Sequence, residues 1–381
     1  MSEPFTAPDV ARQLDDCTFC PKMCRHACPV STTSGRETYI PQAKMALLGR
    51  LRKATAPWTV EATDPLWACT GCRHCTAYCE HDNEPGLVLL AGRAAAQRQG
   101  VGHPALADYG ERFAAREARL AGKLREQFDA GVRADSGNVG FWPGCDMVDK
   151  GGADIAATLA VLARSGGEPV SLIDAGLACA GYPLLAAGMV ERFRWQAGKV
   201  ANALRRFRTV VINCSACRYA LTAQYPGEGL TITAEVLSLA EYLDRRGDTL
   251  PPARGRRSVY YHDPCYLARY ANVVDEPRRV LGRLANVREL TWAREDTECC
   301  GGGGLLPKTM PAVADGMARR RLAEVATAGG GLVVTSCGTC AFMLRRNAPA
   351  SVEVADLPTA IAMLTDTAVT APAAVAHDDE P

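Results

Sequence analysis

From residue 136 onward the chain alternates short apolar, β-rich runs with stretches of helical period. The runs NVGFWPGC, TVVINCSAC, SVYYHDPC and GLVVTSCGTC are rich in apolar and β-branched residues, and each ends on a cysteine. Such runs suit strands of a parallel sheet, which is covered on both faces. Helical patterns occupy residues 152–164, 184–207, 311–326 and 338–347. Strands alternating with helices predict an α/β fold with parallel sheets, whose functional groups gather at the carboxyl ends of the strands. Cys145, Cys214, Cys265 and Cys337 are therefore expected along one such edge. Residues 103–128 are rich in Ala, Arg, Glu and Leu, with Gly110 and Gly122 as weak points. They predict a helical linker over 101–135. Residues 1–14 read as a flexible arm. The small, polar, Pro-containing residues 366–381 read as a disordered tail.

The cysteines reveal an internal repeat. Cys145, Cys179, Cys214 and Cys217 recur as Cys265, Cys299, Cys337 and Cys340, at offsets of 120, 120, 123 and 123 residues. Four positions keeping nearly one offset point to duplication of one domain, with copies at 136–250 and 256–365.

Composition narrows the function classes. Apolar residues make up 48% and charged residues 22% of 381 residues, ordinary for globular domains. The formal net charge of +1 gives no reason to expect nucleic acid as a partner. No apolar stretch approaches the length needed to span a bilayer, and the first residues lack a basic segment followed by an apolar core. The 17 cysteines, an odd number arranged largely in C-x-x-C pairs, do not suit a secreted disulfide scaffold. A reducing cytoplasm, where thiolates are free to bind metal, is the expected setting. Any membrane association would run through a partner.

Eight cysteines fall in residues 15–100, in two runs. The first is Cys17, Cys20, Cys24 and Cys28, followed by Pro29; the second is Cys69, Cys72, Cys75 and Cys79. The second run is the C-x-x-C-x-x-C-x-x-x-C of bacterial ferredoxins, in which the fourth cysteine of each run ligates the other cluster. The crossing assigns Cys17, Cys20, Cys24 and Cys79 to one 4Fe–4S cubane, and Cys69, Cys72, Cys75 and Cys28 to the other. Three residues, not two, separate Cys20 from Cys24, and Glu80 stands where a proline would follow Cys79. The rival is a pair of structural zinc sites, but these usually separate their C-x-x-C pairs by a longer loop. His26, His74 and His81 lie nearby and are expected at the surface or behind the ligands.

The second copy holds Cys265, then Cys299 and Cys300 before Gly301, then Cys337 and Cys340. Adjacent cysteines on an extended chain point in opposing directions. Cys299 and Cys300 can both serve only a large centre or one with bridging thiolates. Residues 301–304 are all glycine, which clears side chains from beside that centre and frees backbone N–H groups to face sulfide. No Gly-Lys-Ser/Thr follows, so this is not a phosphate loop. The first copy holds Cys145, Cys179, Cys214 and Cys217, with Ala180 in place of the second adjacent cysteine. Its four thiolates leave iron–sulfur, zinc, and an empty or redox-thiol site open. Eight, four and five cysteines account for all 17, so none is left as a packed core residue.

HDPC, CCGGGG and CGTC at these separations resemble the cysteine-rich CCG domain of heterodisulfide reductase and of the iron–sulfur subunits of glycolate oxidase, anaerobic glycerol-3-phosphate dehydrogenase and lactate-utilisation systems. A ferredoxin-like domain at 15–100 followed by two CCG domains resembles heterodisulfide reductase of the D type and the iron–sulfur component of glycolate oxidase, over about residues 15–345. The resemblance implies a noncubane 4Fe–4S cluster on Cys265, Cys299, Cys300, Cys337 and Cys340; because Ala180 leaves the first copy one thiolate short, only the second copy is expected to carry it, as the terminal centre facing substrate or partner. It also implies an iron–sulfur electron-transfer subunit that relays electrons between a flavoprotein dehydrogenase partner and an acceptor. A membrane or quinone-linked partner is a further candidate. The rivals are a catalytic subunit that cleaves a disulfide or reduces a quinone at the second copy, and a zinc-bearing, non-enzymatic assembly protein. His262 and Asp263, just before Cys265, read as donors to cluster sulfur, a proton relay, or a helix cap. Arg319, Arg320 and Arg321 read as a solvated helix face, and Tyr260 and Tyr261 as strand residues.

Overall fold

A computed structural model of the chain describes residues 8–150, 152–247 and 249–365. Residues 1–7 of the expected arm and 366–381 of the expected tail lie outside the described residues. Residues 8–14 depart from the expectation: they open the helix Pro8–Phe19. The chain is tied down there because Leu14 is buried and the Gln13 side chain accepts the Glu84 backbone N–H at 2.7 Å.

The N-terminal part is helical. Pro8–Phe19, Pro41–Arg52, Val60–Trp67 and Pro85–Arg98 frame the two cysteine runs. Short helices Pro29–Ser34 and His74–Ala77 follow Cys28 and Cys72. Pro29, Pro41 and Pro85 each stand in the first turn of a helix, where a missing N–H costs nothing.

Two parallel sheets follow. The first comprises β1 (Arg133–Ala134), β2 (Gly137–Trp142), β3 (Val170–Ile173), β4 (Phe207–Ile212) and β5 (Glu235–Ser238), in the order β1-β3-β2-β4-β5. The second comprises β6 (Ser258–His262), β7 (Asn286–Glu289), β8 (Gly331–Thr335) and β9 (Val352–Asp356), in the order β7-β6-β8-β9. Without β1, the two orders are the same, so the duplication seen in the cysteines extends to strand topology. The expected linker forms the helix Tyr109–Gln127, but residues assigned to it also supply β1 at the first sheet's edge.

In each copy the chain leaves the central strand in one direction and returns on its other side. The strand order therefore reverses between β2 and β4, and between β6 and β8. A crevice opens at such a switch point, beyond the carboxyl ends of the strands. Cys145 and Cys214 follow β2 and β4 there, and Cys265 and Cys337 follow β6 and β8. The copies meet at these ends. Gly338 N donates to Asn213 O at 3.3 Å, and the Thr339 hydroxyl to Asp146 at 2.6 Å. One apolar core unites Ile155 and Val161 of the helix Gly152–Arg164 with Ile361 and Leu364 of the helix Leu357–Leu364.

Candidate metal centres

All 17 cysteines are free thiols. Cys17, Cys20, Cys24 and Cys79 lie together at the outer end of the helical domain. The Cys17 thiol is pushed up to about 12 by burial, with Cys24, Cys79 and Cys20 adding to the rise. The extra residue between Cys20 and Cys24 is absorbed by Lys22, which takes a left-handed conformation (φ 70°), and by the single turn Met23–Arg25. Neutral groups donate to the sulfurs of this outer set: Lys22 N to Cys20, Asn83 N to Cys79, and the Asn83 amide to Cys17, each at 3.4 Å.

Cys28, Cys69, Cys72 and Cys75 line a single cavity, together with Lys44, Thr70 and Gly71. This inner set is the foursome that crossing of the fourth cysteines requires. Lys44, only 2% exposed, donates its ammonium to Ala68 O at 2.7 Å and approaches Cys28 Sγ at 3.8 Å. Burial would lower its pKa, yet the thiolates of Cys28, Cys69, Cys75 and Cys72 outweigh that and raise it. Sequence reasoning missed Lys44. The signal was its place four residues before Leu48 and seven before Leu51, on the buried face of the helix Pro41–Arg52.

The inner set touches both copies. The Cys72 thiol is raised chiefly by its interaction with Cys299, which is also the main influence on Cys265. A Cβ on Gly303 would lie 2.4 Å from Thr70 O, and one on Gly304 would lie 2.2 Å from Cys69 O. The glycine run therefore lets the second copy dock backbone to backbone on the cysteine loop of the helical domain. Arg93, buried, locks the junction by donating to Leu66 O, Trp67 O, Cys69 O, Ala186 O and Gly304 O. Tyr182 and Tyr266 share a hydrogen bond of 2.7 Å, and Tyr266 donates to Thr70 O at 3.1 Å.

In the second copy all five cysteines are buried, none more than 5% exposed. Cys300 donates to Cys340 Sγ at 3.3 Å. One nitrogen of His262 lies within 4.8 Å of both these sulfurs. Arg321 Nε donates to His262 Nδ1 at 3.2 Å, and burial first, then Arg321, pushes the imidazole down to about 3. With Nδ1 accepting from Arg321, Nε2 is the ring nitrogen left to donate, which suits a hydrogen bond to sulfur. Arg321 is itself buried and reaches Trp292 O, so it does not belong to the solvated face expected of it; Arg319 and Arg320 do. Asp263 does not cap the helix that follows it, Cys265–Ala271. Arg278 grips it bidentately at 2.7 and 2.8 Å, and Arg294 N adds a third bond. Tyr260 and Tyr261 lie in β6 as expected. His26 and His81 are exposed, while His74 is buried.

In the first copy Cys179 is lowered well below its ordinary value by contact with Cys145 and Cys217, and Cys217 also touches Cys214. Ala180, fully buried, occupies the place of Cys300. Glu117 of the helix Tyr109–Gln127 accepts from Ala178 N and Cys179 N, each at 3.1 Å, and from Gln196 at 3.0 Å. Burial, then Cys179, pushes its carboxyl up to about 7.

The donors fit thiolate-ligated metal. Backbone N–H groups two or three residues on reach Cys20, Cys69, Cys179 and Cys299 at 3.4 Å and Cys214 at 3.3 Å. Cys214 and Cys337 cap the helices Ser215–Tyr219 and Gly338–Arg346, and Cys265 opens Cys265–Ala271. A helix N-terminus favours a thiolate, and of these three Cys337 is lowered from its ordinary value. Soft thiolates in sets of four and five select iron–sulfur clusters or zinc.

Comparison with known proteins agrees with this architecture. The family model of the CCG cysteine-rich domain matches residues 139–222 and 259–345, and that of the 4Fe–4S dicluster domain matches residues 13–83. The chain is 27% identical over 340 residues to one subunit of the fumarate reductase (CoM/CoB) of Methanothermobacter marburgensis, covering 88% of this chain and 68% of that one. It is 25% identical over 398 residues to one subunit of the dihydromethanophenazine:CoB–CoM heterodisulfide reductase of Methanosarcina acetivorans, covering 91% and 92%. Against one subunit of the anaerobic glycerol-3-phosphate dehydrogenase of Escherichia coli it is 27% identical over 221 residues, 54% of each chain.

Proposed function

For a chain that belongs to the CCG-domain iron–sulfur oxidoreductases, we propose the role of electron-transfer subunit, relaying electrons between a flavoprotein dehydrogenase partner and an acceptor. Iron–sulfur clusters on these cysteines would supply one-electron chemistry, two of them cubanes and one a noncubane cluster on Cys265, Cys299, Cys300, Cys337 and Cys340. The observation that carries the reading is the continuity of the thiol sets. Cys75 of the inner set feels Cys24 of the outer, and Cys72 of the inner set feels Cys299 of the second copy. The relatives named above are each part of a larger oxidoreductase, which supports dependence on a partner.

The chain's own residues hold the path together. Arg93 and the glycine run fix the inner set against the second copy, and the peptide N–H groups reduce the charge each thiolate must carry. Burial of all five second-copy cysteines favours a relay over a centre that meets a disulfide or quinone directly. Among the described residues no helix is long and apolar enough to cross a membrane.

Anaerobic purification with its partner tests the reading. The protein should be brown, contain iron and sulfide, co-purify with a flavoprotein, and be reduced through it by the dehydrogenase substrate. A colourless protein containing zinc and no sulfide would overturn it.

A further inference from the structure

We propose that Lys44 makes the inner set the electron sink of the dicluster domain. The inference rests on the reading that both sets carry cubanes, and it deepens that reading by giving the relay a resting place. The two sets differ in what meets their sulfurs. Peptide N–H groups and the Asn83 amide, all neutral, serve the outer set. At the inner set a buried ammonium stands 3.8 Å from Cys28 Sγ, inside the cavity that the four thiols share. Two further buried or half-buried cations back the same loop: Arg93 donates to Cys69 O at 2.7 Å, and Arg269 to Cys72 O at 2.5 Å. Arg269 also lowers the Cys72 thiol.

Reduction adds one negative charge to a cluster, and a nearby positive charge in a medium of low dielectric favours the reduced form. One electron leaves the outer centre, which is oxidised, and enters the inner centre, which is reduced; no bond or proton moves. The electron comes to rest beside Cys72, whose neighbour Cys299 belongs to the second copy. Lys44 also fills a structural place by bonding Ala68 O, so its charge must be separated from its hydrogen bond. Gln keeps a donor without the charge, and Arg keeps the charge.

The test is a potentiometric titration of the anaerobically purified full-length protein, followed by electron paramagnetic resonance. The outer centre is identified as the one whose signal changes in Cys79→Ser. In the unaltered protein the inner centre should be reduced first. K44Q should lower its reduced-to-oxidised ratio at fixed potential at least tenfold, which is about 59 mV for one electron. The outer centre should not move, and K44R should stay within a few-fold of the unaltered protein. Prior reduction of the outer centre in the unaltered protein overturns the proposal even if K44Q fails to load. An equal shift of both centres, or none, in a loaded K44Q also overturns it. Absence of two cubanes by iron and sulfide analysis would instead defeat the underlying reading.

Discussion

Ser215, in the first copy, donates its hydroxyl proton to Cys337 Sγ, in the second copy, at 3.0 Å. Cys337 is depressed to about 6, first by Cys340 and, among the weaker causes, by Ser215. A residue of one repeat thus completes the donor shell of the other. Loss of a hydrogen bond to a charged group costs about 1.5–3 kcal/mol. Ser215→Ala should therefore speed the loss of iron from the second-copy site to a chelator by roughly tenfold or more, while iron in the dicluster domain leaves at its former rate. Stopped-flow chelation with an iron-specific dye checks this; equal rates in both proteins would count against the contact.

Cys79 lies with Cys17, Cys20 and Cys24, so under the proposed crossing of the fourth cysteines Cys79→Ser should disturb the centre held by those three. Spectroscopy of the reduced variant should show one altered cubane signal and one intact. A change confined to the centre of Cys69, Cys72 and Cys75 would refute the crossing.

At Gly304 the chain has φ +60°, and a Cβ would stand 2.2 Å from Cys69 O. Gly304→Ala should push the second copy away from the inner set. Both cubanes should still be reduced by dithionite, but electron arrival at the second-copy cluster should slow by at least about tenfold, as expected when reacting groups are displaced by an ångström or so. Freeze-quench spectroscopy would follow it.

Arg93→Ala leaves up to five buried carbonyl oxygens without a donor. Each abandoned buried group costs about 1–3 kcal/mol, so the variant should lose on the order of 3 kcal/mol or more of stability. Limited proteolysis should then cut between the helical domain and the first copy. An unchanged melting temperature would show that the junction does not depend on this side chain.

Glu117 supplies a pH dependence. Its folded carboxyl is raised to about 7 from an ordinary 4.5, so the folded state holds a proton that the unfolded chain has released. Stability from this group is fully present below about 4.5 and is lost as pH rises to about 7, by up to roughly 3 kcal/mol. His262 and His74, lowered to about 3 and about 4, act with the opposite sign below 6.5. The comparison that isolates Glu117 is the unloaded protein against Glu117→Gln. The variant's melting temperature should lose less between pH 4.5 and 7.

The cysteine sets and the repeat were legible in the sequence because their information is local. Spacing within a run fixes which sulfurs can reach one point, and a strand-helix alternation fixes a parallel sheet. Buried charges were not legible in the same way. Arg321 sits beside two exposed arginines, and only its helical neighbours Met317 and Val325, four residues to either side, betray the buried face. Arg93 lies among alanines on the largely apolar helix Pro85–Arg98, where nothing local names its role; its five carbonyl partners come from segments up to 211 residues away. From sequence alone the glycine run suggests clearance for a centre. Its closer constraint is the backbone of Cys69 and Thr70, which no local pattern could name.

The position of that glycine run bears on how the protein is made. The backbone of Gly303 and Gly304 presses on the loop that carries Cys69 and Cys72, more than 200 residues upstream. During synthesis the helical domain leaves the ribosome long before this cover exists, and its cysteine loop is then open to the donors that deliver iron and sulfide. Once the last α/β unit has folded, the same loop is closed over. Access to the inner cysteine set is therefore expected to be greater before the last α/β unit has folded than after it.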